Sequence, residues 1–383
     1  MNVTVGKRTR HFRTVSFDRS KNAVILIEQR LLPHTFELVA TRDYRKTATA
    51  ITDMIVRGAG AIGATAAYGL AQAALAFRGN DLREFSRRIE TAYETLKAAR
   101  PTAIDPVNAM NQVRQSMRSG QTVAEQQALA LAAAEEFAND DVRHCEAIGR
   151  HGEKLIRNGM NILTHCNAGW LAFVDVGSAT APLYAAQAKR KKFHVFCNET
   201  RPRSQGATLT AWELAQQKIS HSIIADNAAG HLMQRGEIDL VIVGSDRTLG
   251  RTGEVANKIG TYTVAVLAKR HRIPFYVAIP LSTIDWSLKS GGKIPIEERD
   301  QSEVLGAWGL AANPKSEIRN PKSARRDYVR VANPDSRARN PSFDVTPPEL
   351  ITGFITPAGI FKPEHLWAER KALMTTARSF ITR

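Results

Sequence analysis

The chain has 383 residues, 43% of them hydrophobic, which is enough for a large core and for two domains. Three cysteines, none at C-x-x-C spacing, exclude a disulfide framework and suit a reducing, cytosolic setting. The formal charge of +16 raises the question of a nucleic-acid partner, but aromatics are only 7% and no RRM, KH or zinc signature accompanies the charge. No nucleic-acid binding is therefore expected, and a basic surface equally suits a small anionic substrate.

Residues 1–13 are charged and polar with no apolar segment, so they do not read as a secretory signal. No apolar stretch is long enough to span a bilayer, and no membrane partner is expected. Residues 14–40 hold apolar stretches such as Val24-Ile25-Leu26-Ile27 and predict a small β-element. From about Ala48 to Asp141 the pattern is helical and alanine-rich, so residues 1–150 read as a mostly helical N-terminal domain. Arg57-Gly58-Ala59-Gly60-Ala61-Ile62-Gly63 opens one of these helical runs. Glycines at a helix start leave backbone N–H groups open to an anion, and they equally allow close helix packing; with Arg57 beside them the two readings are even. Arg100-Pro101-Thr102 ends a helix before a second helical segment from about Val107, and a proline-defined turn with a solvated arginine is the simplest reading.

After about Gly159 the rhythm changes to strand then helix. The predicted strands are Met160–Leu163, Phe193–Phe196, Ser222–Ile224, Leu240–Val243 and Pro274–Ala278. Helices are predicted over Ser178–Gln187, Ala207–Gln216, Asn227–Gln234 and Val255–Lys269. This alternation predicts an α/β fold overall, the helical domain being followed over 151–383 by a Rossmann-like domain with a parallel sheet. Residues 307–339 break the rhythm with prolines, an imperfect Asn-Pro-Lys-Ser repeat and a run of Lys and Arg. They read as a flexible basic loop insertion with no catalytic role.

The strand ends carry the informative residues. Thr164-His165-Cys166-Asn167-Ala168-Gly169 follows the first strand and reads as a tight turn into a helix. A thiol there lies at the carboxyl edge of the sheet, where the positive end of a helix favours thiolate; an inert buried thiol fits the segment equally well. Asn198-Glu199-Thr200-Arg201-Pro202-Arg203-Ser204-Gln205-Gly206 is a dense polar loop at a second carboxyl end, with structural Glu199–Arg201 or Glu199–Arg203 pairs as the plain alternative. Asp246, in Gly244-Ser245-Asp246-Arg247, is half shielded by the sheet and suits acid or base work, or else caps a helix. Ala256-Asn257-Lys258-Ile259-Gly260 places an amide and a cation at a predicted helix start, suited to phosphate or to a solvated face. No metal-ligand spacing and no G-x-S-x-G nucleophile elbow is visible.

In this order the motifs resemble the S-methyl-5-thioribose-1-phosphate isomerase family. Leu209-Thr210-Ala211-Trp212-Glu213-Leu214, Pro280-Leu281-Ser282-Thr283-Ile284-Asp285 and Ile294-Pro295-Ile296-Glu297-Glu298-Arg299 are similar as well. The resemblance covers about residues 20 to 360 and extends to a superfamily with ribose-1,5-bisphosphate isomerases and regulatory subunits of initiation factor 2B. It implies a cofactor-free aldose–ketose isomerase of methionine salvage, cytoplasmic and homodimeric, acting on a phosphosugar. By position it implies that Cys166 and Asp246 are the catalytic pair and that Arg57, Gly58, Ala59, Arg100, Gln205, Asn257 and Lys258 bind substrate. The expected roles are Asp246 as acid at the ring oxygen and Cys166 thiolate as base at C2.

Five positions depart from the family pattern: Trp170 and Phe173 stand where small residues are usual, Gly60 where proline is common, Asn198 where Asp is usual and Ser245 where Ala is usual. The aromatics beside the thiol put the sugar's 5-substituent in question. Related isomerases of 5-deoxyribose 1-phosphate or ribose 1,5-bisphosphate are the enzymatic alternatives. A non-catalytic regulatory subunit is the alternative of another class, and retention of both Cys166 and Asp246 argues against it.

Overall fold

The chain opens with a hairpin of β1 (Asn2–Val5) and β2 (Arg8–His11), then a three-stranded antiparallel sheet of β3 (Val15–Asp18), β4 (Ala23–Ile27) and β5 (Leu38–Thr41). The structure, a computed structural model, describes residues 1–100, 103–310 and 326–379. The three-stranded sheet is the β-element expected between residues 14 and 40, with the apolar β4 at its centre.

Five helices follow: α1 (Tyr44–Thr52), α2 (Ala59–Leu75), α3 (Leu82–Ala98), α4 (Asp105–Met117) and α5 (Val123–Gly152). Helix α2 is apolar around its whole circumference, and such a helix is stable only when surrounded. Every residue from Ala59 to Ala74 is buried, with α1, α3, α4 and α5 packed about it. A capping box at Thr122 and Glu125 starts α5, satisfying two backbone donors reciprocally. The far end of α5 packs on the sheet that follows, with Ile148 in a cluster shared with Ile162 and Ile355.

Strand and helix then alternate: β6 (Asn161–Thr164), α6 (Ala181–Ala188), β7 (His194–Asn198), α7 (Ala211–Gln216), β8 (His221–Ile224), α8 (Ala228–Gln234) and β9 (Leu240–Val243). Two short strands, β10 (Arg247–Leu249) and β11 (Val255–Lys258), precede α9 (Thr261–Arg270), β12 (Phe275–Ala278) and β13 (Ile284–Asp285). The chain closes with α10 (Ser302–Leu305), β14 (Gly306–Leu310), β15 (Arg326–Arg330), β16 (Phe343–Thr346), β17 (Gly353–Thr356), β18 (Gly359–Phe361) and α11 (Arg370–Ser379). The main sheet has the order β18-β17-β12-β9-β6-β7-β8 and is parallel except at β18, so the architecture is the α/β class expected. No helix among the described residues is long and apolar enough to cross a membrane.

Three expectations are corrected here. Residues 255–258 form β11, paired with β10 and β16 in a four-stranded sheet, and only Thr261–Arg270 is helical; the β-branched Val255 and the buried partner strands override a helical reading of the segment. The cysteine loop runs into a three-residue 3-10 turn, Trp170–Ala172, and no α-helix starts before Ala181. The expected basic loop at 307–339 contains an antiparallel hairpin, with Gly306–Leu310 paired to Arg326–Arg330. The Asn-Pro-Lys-Ser repeat lies outside the described residues.

Candidate active site

The chain leaves β6 in one direction for β7 and β8, then returns to the other side of β6 for β9 and β12. Such a reversal opens a crevice at the carboxyl ends of the two strands that flank it. Cys166 follows β6 and Asp246 follows β9, so the sheet topology alone brings them to the same crevice. Both line a small cavity of about 20 Å3 together with Arg57, Gly58, Ala59, Asn167, Phe173 and Asn257. A second cavity of about 400 Å3 shares Arg57 with the first and includes Gln205 in its lining.

Cys166 is held in the left-handed region, at φ +64°, a conformation that a non-glycine residue keeps only when its surroundings enforce it. They do so from both sides. The Cys166 N–H donates to Thr200 Oγ1 at 2.8 Å, and its carbonyl accepts from Thr210 Oγ1 at 2.7 Å. Thr200 belongs to the polar loop after β7, and Asp226 in turn accepts from the Thr200 and Arg201 N–H groups, each at 2.7 Å. Thr210 closes a five-residue π-helix, Gly206–Thr210. Gly206 is required there, since a Cβ would stand 1.8 Å from the Asn198 carbonyl oxygen.

The loop's electrostatics differ from the expectation of a helix-stabilised thiolate. Burial pushes the Cys166 thiol above its ordinary value, opposed by the Arg57 and Lys258 cations, while Asp246 adds to the upward push. Lys258 is itself buried at the end of β11, lowered by desolvation with Cys166 and Asp246 opposing, and its Nζ lies 4.6 Å from the Phe343 ring centroid. His165 does not supply a cation. Its Nε2 meets the Ile259 carbonyl at 2.9 Å and its Nδ1 meets the Asn198 carboxamide nitrogen at 3.0 Å, a pattern that assigns a neutral ring; burial also lowers its pKa.

Arg57 donates to Asn167 Oδ1 at 2.5 Å and to the Asn167 carbonyl at 2.8 Å, tying the start of α2 to the cysteine loop. Close packing does the same. A Cβ on Gly58, at φ +93°, would fall 2.4 Å from Ala172, and one on Gly60 would fall 2.6 Å from Phe173 Cδ1 and 2.2 Å from Asp141 Oδ1. The close-packing reading of these glycines therefore holds, and Gly58 and Ala59 also line the small cavity. The N-terminal N–H groups of the 17-residue α2 carry no side-chain cap from Gly58 and present partial positive charge to that cavity.

Other expected residues are placed as follows. Arg100 lies in the field of Asp246 and Arg57; burial lowers its pKa and Glu297 opposes, so the solvated arginine expected there is not what the structure has. Arg100 is not among the residues lining either cavity. Asp246 caps no helix: its N–H donates to the Ala256 carbonyl at 3.0 Å in the turn before β10. Asn257 and Lys258 stand on a strand end rather than a helix start. Arg201 and Arg203 do not take Glu199 as partner. Arg201 donates to the carbonyls of Glu303, Val304 and Gly306, and Arg203 pairs with Glu303 at 2.8 Å.

Of the two aromatics, Trp170 turns away into a cluster with Leu32, Leu171 and Leu209, and only Phe173 lines the small cavity. Glu213 had been noted only as part of a motif, and it organises the whole loop. It is fully buried, and its two oxygens accept from Asn167 Nδ2 (2.8 Å), Leu171 N–H (3.1 Å), Trp170 N–H (3.0 Å) and Tyr184 O–H (3.0 Å). Burial pushes it up to about 7, against the four donors that hold it ionised. The donors decide its state at and above neutral pH, because none of the four positions is filled by an acceptor. Asp141 and Asp105 are also buried acids behind the loop, raised by desolvation to about 8 and about 6; Asp246 adds to the shift at Asp105. The signal in the sequence was an acid in an otherwise apolar helical pattern.

Comparison with known proteins fits this geometry. The family model described as initiation factor 2 subunit family matches residues 55–363. The methylthioribose-1-phosphate isomerase of Methylorubrum populi is 48% identical over 359 residues, covering 92% of this chain and 93% of that protein. The crystal structure of 5-methylthioribose 1-phosphate isomerase from Pyrococcus horikoshii OT3 superposes with a TM-score of 0.81 at 39% identity, covering 96% of this chain and 97% of that one. A structure titled translation initiation factor eIF-2B, subunit delta, from A. fulgidus gives a TM-score of 0.78 at 36% identity, over 95% of this chain and all of the other. The chain belongs to the initiation factor 2 subunit family, among its methylthioribose-1-phosphate isomerases.

Proposed function

We propose that this chain converts S-methyl-5-thio-α-D-ribose 1-phosphate to S-methyl-5-thio-D-ribulose 1-phosphate, the aldose–ketose isomerisation of methionine salvage. The observation that carries the reading is one cavity lined jointly by Cys166, Asp246, Arg57 and the start of α2, in a chain 48% identical to a named isomerase over 92% of its length. A regulatory subunit has no use for a buried thiol and a carboxylate lining one cavity with a phosphate-compatible helix end.

A sugar phosphorylated at C1 cannot open its ring by losing a hemiacetal proton. Ring opening needs a proton at the ring oxygen, and a hydrogen must pass from C2 to C1. Because burial favours the protonated thiol, we assign Cys166 as the donor to the ring oxygen as the C1–O bond breaks and Asp246 as the base that takes the C2 proton and returns it to C1. The Cys166 thiolate recovers a proton from the C2 hydroxyl as the ketone forms. These roles are the reverse of those expected from the sequence. Such a pair supplies several orders of magnitude in rate. The α2 N-terminus with Arg57, Gly58 and Ala59 holds the 1-phosphate, Asn257 and Gln205 contact the sugar from the cavity linings, and Lys258 and Arg100 act on the site through their charge. The buried unpaired cysteines support a reducing, cytoplasmic setting, and the family resemblance supports a homodimer. The test is turnover of S-methyl-5-thioribose 1-phosphate, 5-deoxyribose 1-phosphate and ribose 1,5-bisphosphate by the purified chain. Preferred turnover of the first is expected, and inactivity on all three refutes the assignment.

A further inference from the structure

The larger cavity has a wall that no part of the proposed chemistry uses. Trp308 on β14 and Tyr328 on β15 face each other across the hairpin with ring centroids 5.6 Å apart, and both line the 400 Å3 cavity. Trp308 is 62% exposed, so it is not there to build a core. Leu31, Leu32, Met54 and Leu209 add further apolar surface to the lining.

The hairpin is held where it stands. The Arg201 guanidinium donates to three carbonyls at its base, those of Glu303, Val304 and Gly306. The Tyr328 hydroxyl donates to the Ser302 carbonyl at 2.8 Å. Gly306 leaves room for that ring, since a Cβ there would fall 2.5 Å from Tyr328 Oη. The loop that clamps the hairpin is the same one that orients Gln205, whose buried carboxamide oxygen lacks a protein partner and whose side chain lines this cavity.

The cations here are committed. Arg30 is ion-paired with Glu28 at 2.6 Å and Arg203 with Glu303 at 2.8 Å, while Arg57 is the one assigned above to the 1-phosphate. A second phosphate would meet carboxylates beside each of the first two. A thioether suits the site far better, because sulfur packs favourably against aromatic rings at about 5 Å.

Resting on the isomerase reading above, we infer that Trp308 and Tyr328 are specificity-determining residues that seat the apolar 5-substituent of the sugar. Arg57, common to both cavities, marks the passage between the reacting carbons and this seat. Gln205 offers its carboxamide to a sugar hydroxyl along the way. A segment that reads in the sequence as a loop insertion with no catalytic role thus selects the substrate.

The experiment measures kcat/KM for S-methyl-5-thioribose 1-phosphate and 5-deoxyribose 1-phosphate in the wild type, Trp308→Ala, Tyr328→Ala and Trp308→Phe. In Trp308→Ala and Tyr328→Ala the preference for the methylthio sugar is expected to fall about tenfold, chiefly through KM, because only that substrate fills the seat. Trp308→Phe retains an aromatic face and keeps most of the preference. Equal loss on both sugars, or an unchanged preference in both alanine variants, overturns the inference while leaving the isomerase standing. Wild-type inactivity on both sugars instead removes the reading on which it rests.

Discussion

Glu213 offers a sharp test of how the cysteine loop is held. In Glu213→Gln the shape is kept, but one carboxylate oxygen becomes an NH2 group. The amide oxygen must remain at the Oε1 position, because Asn167 Nδ2 and the Leu171 N–H donate there and Asn167 Oδ1 is already taken by Arg57. The NH2 group then faces the Trp170 N–H and the Tyr184 hydroxyl. The hydroxyl can turn and accept, but the Trp170 N–H cannot. One buried donor is left without an acceptor, at a cost of about 1–3 kcal/mol. Relief of the buried charge, which is under pressure from desolvation, offsets part of that cost. The expected outcome is a melting temperature lower by a few degrees and a kcat/KM lower by one to two orders of magnitude, since small displacements of reacting groups are costly. Tyr184→Phe removes one donor without orphaning another and is expected to change both readouts only slightly. Thermal melts and initial rates on the three proteins suffice. A glutamine variant indistinguishable from wild type in both would refute the claim that these hydrogen bonds position Cys166.

Other predictions follow from the same neighbourhood. Gly60→Ala forces a Cβ against Phe173 and Asp141 and is expected to cost about 1–3 kcal/mol by overpacking, with Phe173→Ala recovering part of it in a double-mutant cycle; strict additivity would show that the ring does not fill that space. Asp141, raised to about 8 by burial, binds a proton in the folded state between about pH 4 and 8 that the unfolded chain releases, so stability falls as pH rises through that window. Asp141→Asn is expected to flatten this fall by up to about 1.4 kcal/mol per pH unit, and equal slopes in urea titrations of the two proteins would contradict it. Because burial raises the Cys166 thiol above its ordinary 9, the proton donor survives well into alkaline pH. The kcat/KM is expected to hold level from pH 7 to 9 and fall above; a decline already under way at pH 7 would contradict a raised thiol.

Much of this site is legible in the sequence, for physical reasons that can be named. Strand periodicity predicts β6 and β9, the rule that ligands meet the carboxyl ends of parallel strands directs attention to the residues after them, and the family resemblance narrows these to Cys166 and Asp246. The glycines at 58 and 60 signal close packing, and a Cβ at either would clash with Ala172, Phe173 or Asp141. What stayed hidden depends on long-range partners. The strand at 255–258 is fixed by β16, some ninety residues later, so local propensity had no access to it. The partners of Arg201 and Arg203 lie a hundred residues away on the hairpin base, and the nearer Glu199 looked the better match. Of the two readings of Cys166, the helix-stabilised thiolate needs a helix start after Gly169, where the chain makes only one 3-10 turn and burial pushes the thiol up. Glu213 sits in an apolar helical stretch, a weak sequence signal, because an acid there is ordinarily solvated and its four donors come from elsewhere in the fold.

The most direct test of the proposed chemistry is single-turnover conversion of S-methyl-5-thioribose 1-phosphate by Cys166→Ala and Asp246→Asn, with binding and melting measured on the same samples. Both variants are expected to fold and bind the sugar while converting it about a hundred- to ten-thousandfold more slowly. Conversion at the wild-type rate by either variant would contradict an acid–base pair at Cys166 and Asp246.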